Sequence, residues 1–336
     1  MKSTKLEKEI FNFFKKKKIL ITGGTGLIGR QLVEILSNIP CDIQTASLDK
    51  IKLKNIKKHY FGDLQDKGFC MKITKKVDFV FHLAGIKGSV KTTINKPSSF
   101  FVPLLLMNTN VLEASRVNKV KHLVYTSSIG AYKSASIFRE SNKDFSSEPM
   151  DFFPGWAKRM AELQIQAYKK QYNLKNYHVV RPCNVYGPGD NFDPKNAMVI
   201  PTLITKIFSK TEKIKIWGDG SAIRDFAFSK DVALGILLTM IKGTGKLNYI
   251  NLGSGKRTSV KQLVLTLNKI KNFKYEFDGS KNSGYKIRVM DISNAKKILG
   301  FNHDTSLENG LRQTIEWYKK NKKKLKKRYN YFDDNH

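Results

Sequence analysis

Ile19-Leu20-Ile21-Thr22-Gly23-Gly24-Thr25-Gly26-Leu27-Ile28-Gly29 is the stretch on which the fold turns. The short apolar run ending at Thr22 reads as a buried strand. Three glycines spaced three apart, Gly23, Gly26 and Gly29, follow it directly, and an amphipathic segment from Leu27 to Leu36 opens on them as a helix. Glycines at these places let the chain turn tightly, let backbone N–H groups approach a pyrophosphate and let helix pack on sheet, while the helix N-terminus favours an anion. Strand, loop and helix in that order predict a dinucleotide site, with Gly23, Gly26, Leu27, Ile28 and Gly29 as its candidates. About 20 residues on, at the expected end of a second strand, Asp49 is placed to hydrogen-bond both hydroxyls of an adenosine ribose, which favours NAD. Lys50 and Lys52 can as easily accept a 2′-phosphate, so NADP is kept as the alternative.

Working outward, short apolar runs ending in small or polar residues recur at Ile43 to Ser47, Val77 to Leu83, His122 to Ser127 and His178 to Arg181, with helix-like stretches between most of them. That alternation predicts an α/β fold with a doubly wound parallel sheet. The second half is less regular. It reads as a helix from Val199 to Phe208, a strand from Ile214 to Trp217, a Gly-Asp-Gly turn, a helix from Val232 to Ile241 and a strand from Asn248 to Leu252. Two further helices follow, one capped by Thr258-Ser259 and running to Ile270, the other from Ser306 to Tyr318.

The 336 residues are 40% hydrophobic, enough for one large or two modest folded domains. Sixty-one basic against 28 acidic residues leave a net charge of +33, densest at Lys15 to Lys18 and Lys319 to Arg328. Such a surface attracts polyanions, so nucleic acid or an anionic membrane is a possible partner. The abundance of lysine alongside asparagine and isoleucine favours a general compositional bias instead. Three cysteines far apart, Cys41, Cys70 and Cys183, suggest neither a disulfide framework nor a metal site. With no long apolar run, a cytoplasmic protein is expected.

The motifs resemble the extended short-chain dehydrogenase/reductases, the NAD-dependent epimerase/dehydratase group. They are Gly62-Asp63-Leu64, His82-Leu83-Ala84-Gly85, Tyr125-Thr126-Ser127-Ser128, Arg181-Pro182-Cys183-Asn184-Val185-Tyr186-Gly187-Pro188 and the late Asp291-Ile292-Ser293-Asn294-Ala295. Asp190-Asn191-Phe192-Asp193-Pro194, Trp217-Gly218-Asp219-Gly220 and Arg224-Asp225-Phe226 are most similar to GDP-L-fucose synthases and related nucleotide-sugar epimerases. The resemblance spans roughly Ile19 to Tyr318. It implies a Rossmann domain of residues 19–182 with about 225–252, and a smaller mixed α/β substrate-binding domain of 183–224 with 253–318. Residues 1–18 then form a basic N-terminal extension and 319–336 a basic tail. It also implies roles: Asp63 and Leu64 at the adenine, Ala84 and Gly85 along the pyrophosphate, Ser128 on the reacting sugar oxygen and Lys158 on the nicotinamide ribose. Asn184 would touch the sugar or its diphosphate, and Arg224 would pair with the diphosphate. A homodimer is implied as well.

The departures from the family pattern carry as much information. The family's Tyr-x-x-x-Lys pair falls on Pro154-Gly155-Trp156-Ala157-Lys158, so proline stands where a tyrosine of lowered pKa would exchange a proton during hydride transfer. Tyr132, Tyr186, Ser128 or a water are the possible substitutes. The Asp-Glu pair of the 4,6-dehydratases is replaced by Ile129 and Gly130, and the cysteine and histidine of 3,5-epimerisation by Gly130 and Met198. The leading expectation is an NAD(P)-dependent nucleotide-sugar epimerase or 4-ketoreductase of surface-polysaccharide precursor synthesis. Its rival is a catalytically impaired protein that binds dinucleotide and nucleotide sugar in a regulatory or structural role.

Overall fold

The computed structural model describes residues 4–88, 90–141, 144–194, 196–209, 211–281, 284–327 and 329. Residues 1–3, 328 and 330–336 of the two basic ends lie outside this set.

Seven parallel strands form the central sheet: β1 (Lys18–Thr22), β2 (Asp42–Ser47), β3 (Lys58–Phe61), β4 (Phe79–His82), β5 (His122–Thr126), β6 (Tyr177–Pro182) and β7 (Ile250–Leu252). Their spatial order is β7-β6-β5-β4-β1-β2-β3. The chain therefore reverses direction across the sheet between β1 and β4, whose last residues, Thr22 and His82, lie side by side. A crevice opens at the carboxyl ends of strands at such a reversal, which fixes where a ligand sits. Ile19, Leu20 and Ile21 are fully buried, as a strand covered on both faces requires. Strand β3, at the edge, is Lys-His-Tyr-Phe and only half covered.

The flanking helices pack in pairs. The Leu27–Leu36 helix lies against Ser229–Lys242, and the long Ser98–Val117 helix against Phe152–Tyr172. The basic leader also joins the core. Thr4 and Glu7 form a capping box on the Lys5–Phe14 helix, Ile10 and Phe14 are buried, and the Phe13 ring stacks 5.2 Å from that of Phe79.

A second hydrophobic core gathers Ile200, Leu203, Ile204, Ile214, Ile216, Leu263, Leu267, Leu311 and Ile315 from the later helices and strands. Met290, Ile292, Leu299 and Phe301 bury instead in the first core. Two small parallel pairings, Lys213–Trp217 with Lys274–Asp278 and Asn184–Tyr186 with Phe226–Phe228, accompany a mixed four-stranded sheet that includes Ile223–Arg224 and Ile287–Met290. The Val260–Ile270 helix starts at Ser259 with a capping box completed by Gln262, as the sequence predicts. Among the described residues no helix is long and apolar enough to cross a membrane.

Candidate active site

A cleft of about 510 Å³ runs along the carboxyl ends of the strands, within the range of small-molecule sites. Gly23, Gly26, Leu27, Ile28, Gly29, Asp49, Asp63, Leu64, Ala84 and Gly85 line it, and so do Ser128, Pro154, Lys158 and Asn184.

The glycine cradle is tight enough to demand glycine. Gly23 has φ +69°, and a Cβ on it would come within 2.8 Å of the Ala84 nitrogen. A Cβ on Gly29 would strike the Gly23 carbonyl oxygen. Gly26 caps the helix without a side chain, so the first-turn N–H groups face the cleft free of any side-chain cap. Replacing Gly29 with valine is expected to abolish the fluorescence enhancement of NADH on titration with protein, because the loop must open to admit the side chain. Undiminished enhancement would contradict this account of the cradle.

Asp49 is buried two residues beyond β2, and its Oδ2 accepts a hydrogen bond from the Thr25 hydroxyl. Its Oδ1 accepts the Tyr329 backbone N–H at 2.7 Å. Tyr329 also lines the cleft, and its phenol pKa is raised by burial and the Asp63 charge. The C-terminal segment thus meets the carboxylate assigned to the ribose, a contact that nothing in the sequence announces. Substituting Tyr329 with proline, which removes the N–H, is expected to tighten dinucleotide binding about tenfold or more in a calorimetric titration, since a net hydrogen bond to a charged group is worth about 1.5–3 kcal/mol.

Also in the cleft, Ser128 begins a tight turn, its Oγ accepting the Gly130 N–H at 3.0 Å. The Lys158 ammonium donates to the Thr126 carbonyl at 2.9 Å and lies 3.5 Å from where a Cβ on Gly85 would be. Burial, partly opposed by the Glu162 charge, pushes its pKa down to about 8. Beneath it the Arg181 guanidinium pairs with Glu162 at 2.6 Å, both side chains fully buried, and Ser127 donates its hydroxyl to the same carboxylate. His82 spans Thr22 Oγ1 at 2.7 Å and Asn108 Oδ1 at 3.0 Å, while Asn108 donates to the Tyr125 hydroxyl. That chain assigns the imidazole proton to Nε2. Burial and the Lys158 charge push the ring's pKa down to about 3, so it stays neutral.

Pro154 occupies the first turn of the Phe152–Tyr172 helix, where a missing N–H costs no intrahelical bond. The tyrosine substitutes considered from sequence do not serve. Tyr132 is buried, with its hydroxyl donated to Asn251. Tyr186 lines the cleft, but its hydroxyl points to the Leu307 carbonyl at 3.4 Å and burial raises its pKa. Asn184 donates to the Asp225 carbonyl at 3.1 Å. Asp225 itself is buried and collects the Ser254 and Gly255 amides, the Ser254 hydroxyl, the Met290 amide and the Cys183 thiol, which anchors the substrate side of the cleft.

The Arg224 guanidinium donates to the Ile223 and Tyr285 carbonyls, and this residue is not among those lining the cleft. Its strand partner in register, Arg288, does line it, and the Arg288 Nε is buried with no hydrogen-bond partner among the described residues. Burial, together with the neighbouring Arg288 charge, lowers the Arg224 pKa to about 10. The sequence expectation that Arg224 binds the diphosphate therefore does not hold as made: of this strand pair it is Arg288 that faces the cleft, where a guanidinium suits an anionic ligand. The sequence signal for Arg288 is weak: it sits three residues before Asp291 with no motif of its own.

Fold and cradle together define a nicotinamide-dinucleotide protein of the doubly wound type. The profile of the NAD dependent epimerase/dehydratase family matches residues 19–253, and the chain belongs to that family. Its cofactor is accordingly NAD(P). The chain is 29% identical to a GDP-L-fucose synthase of Azorhizobium caulinodans over 90% of its length and 97% of the relative's. It is 27% identical to the GDP-L-colitose synthase of Yersinia pseudotuberculosis, again over 90% and 97%. In fold it is similar to an epimerase from Methanothermobacter thermautotrophicus, with TM-score 0.85 at 24% identity over 97% of this chain and 99% of that one.

Proposed function

We propose that the chain is an NAD-dependent nucleotide-sugar epimerase or 4-ketoreductase acting on a GDP-sugar, working in the cytoplasm on surface-polysaccharide precursors. The observation that carries this reading is that Ser128 and Lys158 line the same cleft as the glycine cradle. The names of the GDP-sugar synthases among the relatives support the choice of nucleotide. When bound, the dinucleotide supplies or takes up hydride. Ser128 would hold the reacting sugar oxygen, Lys158 the nicotinamide ribose, Asn184 the sugar, and Arg288, rather than its strand partner Arg224, the diphosphate. Asp49, a carboxylate that would repel a 2′-phosphate, supports NAD over NADP.

Homodimerisation is part of this reading. The paired helices Ser98–Val117 and Phe152–Tyr172 expose Val102, Leu106, Phe153, Met160 and Leu163, an apolar stripe suited to a four-helix contact. The second reading, a binding protein that no longer turns over, is favoured by Pro154. The test mixes purified protein and NAD(H) or NADP(H) with GDP-, UDP- and dTDP-sugars and their 4-keto forms, including GDP-4-keto-6-deoxymannose, and follows nicotinamide absorbance. Hydride transfer supports the enzyme. Its absence across the panel, with no epimerised sugar found by chromatography, in folded protein that binds NADH, supports the binding protein.

A further inference from the structure

With proline at position 154, a proton-exchanging group must come from elsewhere in the cleft. Its candidates can be taken in turn. Asp49 and Asp63 line the cleft but are assigned to the adenosine. Asp190 lies 3.5 Å from the Lys87 ammonium, and its backbone neighbour Asn191 donates to it. The Cys183 thiol is donated to Asp225. Lys158 is committed to the Thr126 carbonyl.

Asp151 is differently placed. It stands at the N-terminal boundary of the Phe152–Tyr172 helix, three residues before Pro154, yet its side chain does not cap that helix. Its amide donates to the Gly130 carbonyl at 3.1 Å, tying it to the turn that begins at Ser128. A Cβ built on Gly130 falls on the Asp151 carboxylate: the carboxylate fills the room that any other residue at 130 would need. Among the described residues it accepts no hydrogen bond. Its charged neighbour is Arg288, at 3.7 Å, and 39% of the side chain is exposed in the cleft.

We propose that Asp151 is the proton-transferring catalytic residue of this site, exchanging a proton with the oxygen of the sugar carbon that gains or loses hydride. The proposal rests on the reading of the chain as a nucleotide-sugar oxidoreductase. In the oxidising direction the sugar O–H bond breaks and its proton goes to the Asp151 carboxylate. The C–H bond breaks with its electron pair, which reduces the dinucleotide, and the oxygen's electrons close the C=O bond. In the reducing direction the protonated carboxyl returns the proton to the oxygen as hydride arrives at carbon. Arg288 holds the carboxylate toward the cleft, and Gly130 keeps its place clear.

The test compares the parent protein, Asp151→Asn, and Asp151→Asn combined with Pro154→Tyr, using GDP-4-keto-6-deoxymannose with NADH or NADPH in single-turnover stopped flow. Calorimetric affinity for GDP-mannose without cofactor serves as the control for fold and binding. Asp151→Asn should lose at least tenfold, and about a hundredfold if the acid–base role is fully its own, with affinity changed less than about threefold. The double variant should regain rate through the phenol. In rapid-scan infrared, the parent should show a carboxyl band that changes during turnover and is missing from Asp151→Asn. A loss under tenfold, or an unchanged infrared spectrum, overturns the role of Asp151 while leaving the enzyme reading intact. Absence of turnover by the parent on the whole sugar panel overturns that reading itself, and the proposal with it.

Discussion

Substituting Glu162 with alanine is expected to lower stability by about 3–5 kcal/mol, seen as a fall in the urea midpoint at unchanged slope. The cost comes from what is left behind. Arg181 is fully buried, clamped on one side by Glu162 and stacked between the Tyr249 and Tyr132 rings, with its guanidinium carbon 3.5 and 4.3 Å from their centroids. Without the carboxylate that cation loses the buried counter-charge at 2.6 Å, and Ser127 loses its acceptor as well. Replacing both partners, Glu162→Leu with Arg181→Met, should be less damaging than the single change, since two apolar side chains leave no buried charge. If the single variant loses under 1 kcal/mol, water reaches Arg181 and the pair is not the keystone described. Because Ser127 precedes Ser128 and Glu162 lies one helical turn beyond Lys158, surviving protein should also show impaired turnover.

Replacing Lys158 with methionine is expected to reduce turnover at least about a hundredfold while making the folded chain more stable near neutral pH. The stability gain follows from the ammonium's burial, which pulls its pKa from the usual 10.5 to about 8. Below pH 8 the lysine is charged in both states, and the folded chain bears the full cost of burying that charge. Between about 8 and 10.5 the unfolded chain holds a proton that the folded one has released, so the stability of the parent rises with pH across this window. Lys158→Met should lack that rise, and its advantage over the parent should shrink as pH climbs. Thermal unfolding of both proteins from pH 6.5 to 10.5 checks the sign. Parallel curves would mean that Lys158 keeps an ordinary pKa in the folded protein.

The cofactor half of this architecture was legible because its chemistry is local. Strand, glycine turn and helix are consecutive in sequence, and the Leu27–Leu36 helix has the limits its apolar spacing predicts. The edge strand Lys58–Phe61 was not read, since a charged, half-covered tetrapeptide has no apolar alternation to find. In the Ser98–Val117 helix, Pro103 is buried inside the helix, a position that propensity alone disfavours. The substrate end depends on contacts between distant segments. Arg288 reaches the cleft only by strand register with Arg224, and Asp151 stands out only once a missing Cβ at position 130 is seen as room for its carboxylate. Tyr329 meets Asp49 across 280 positions of sequence, a separation over which no spacing rule operates.

The mutual exclusion of a side chain at 130 and the carboxylate of Asp151 also bears on descent. A form of this protein carrying both would have two groups in one volume, so no single-step path joins a lineage with a reactive side chain at 130 to one using Asp151 as it stands here. The glycine must come first, or the aspartate must arrive pointing elsewhere and swing in after the space is cleared. On the first route an intermediate has glycine at 130 with that space unfilled; on the second it carries the aspartate turned away from the cleft.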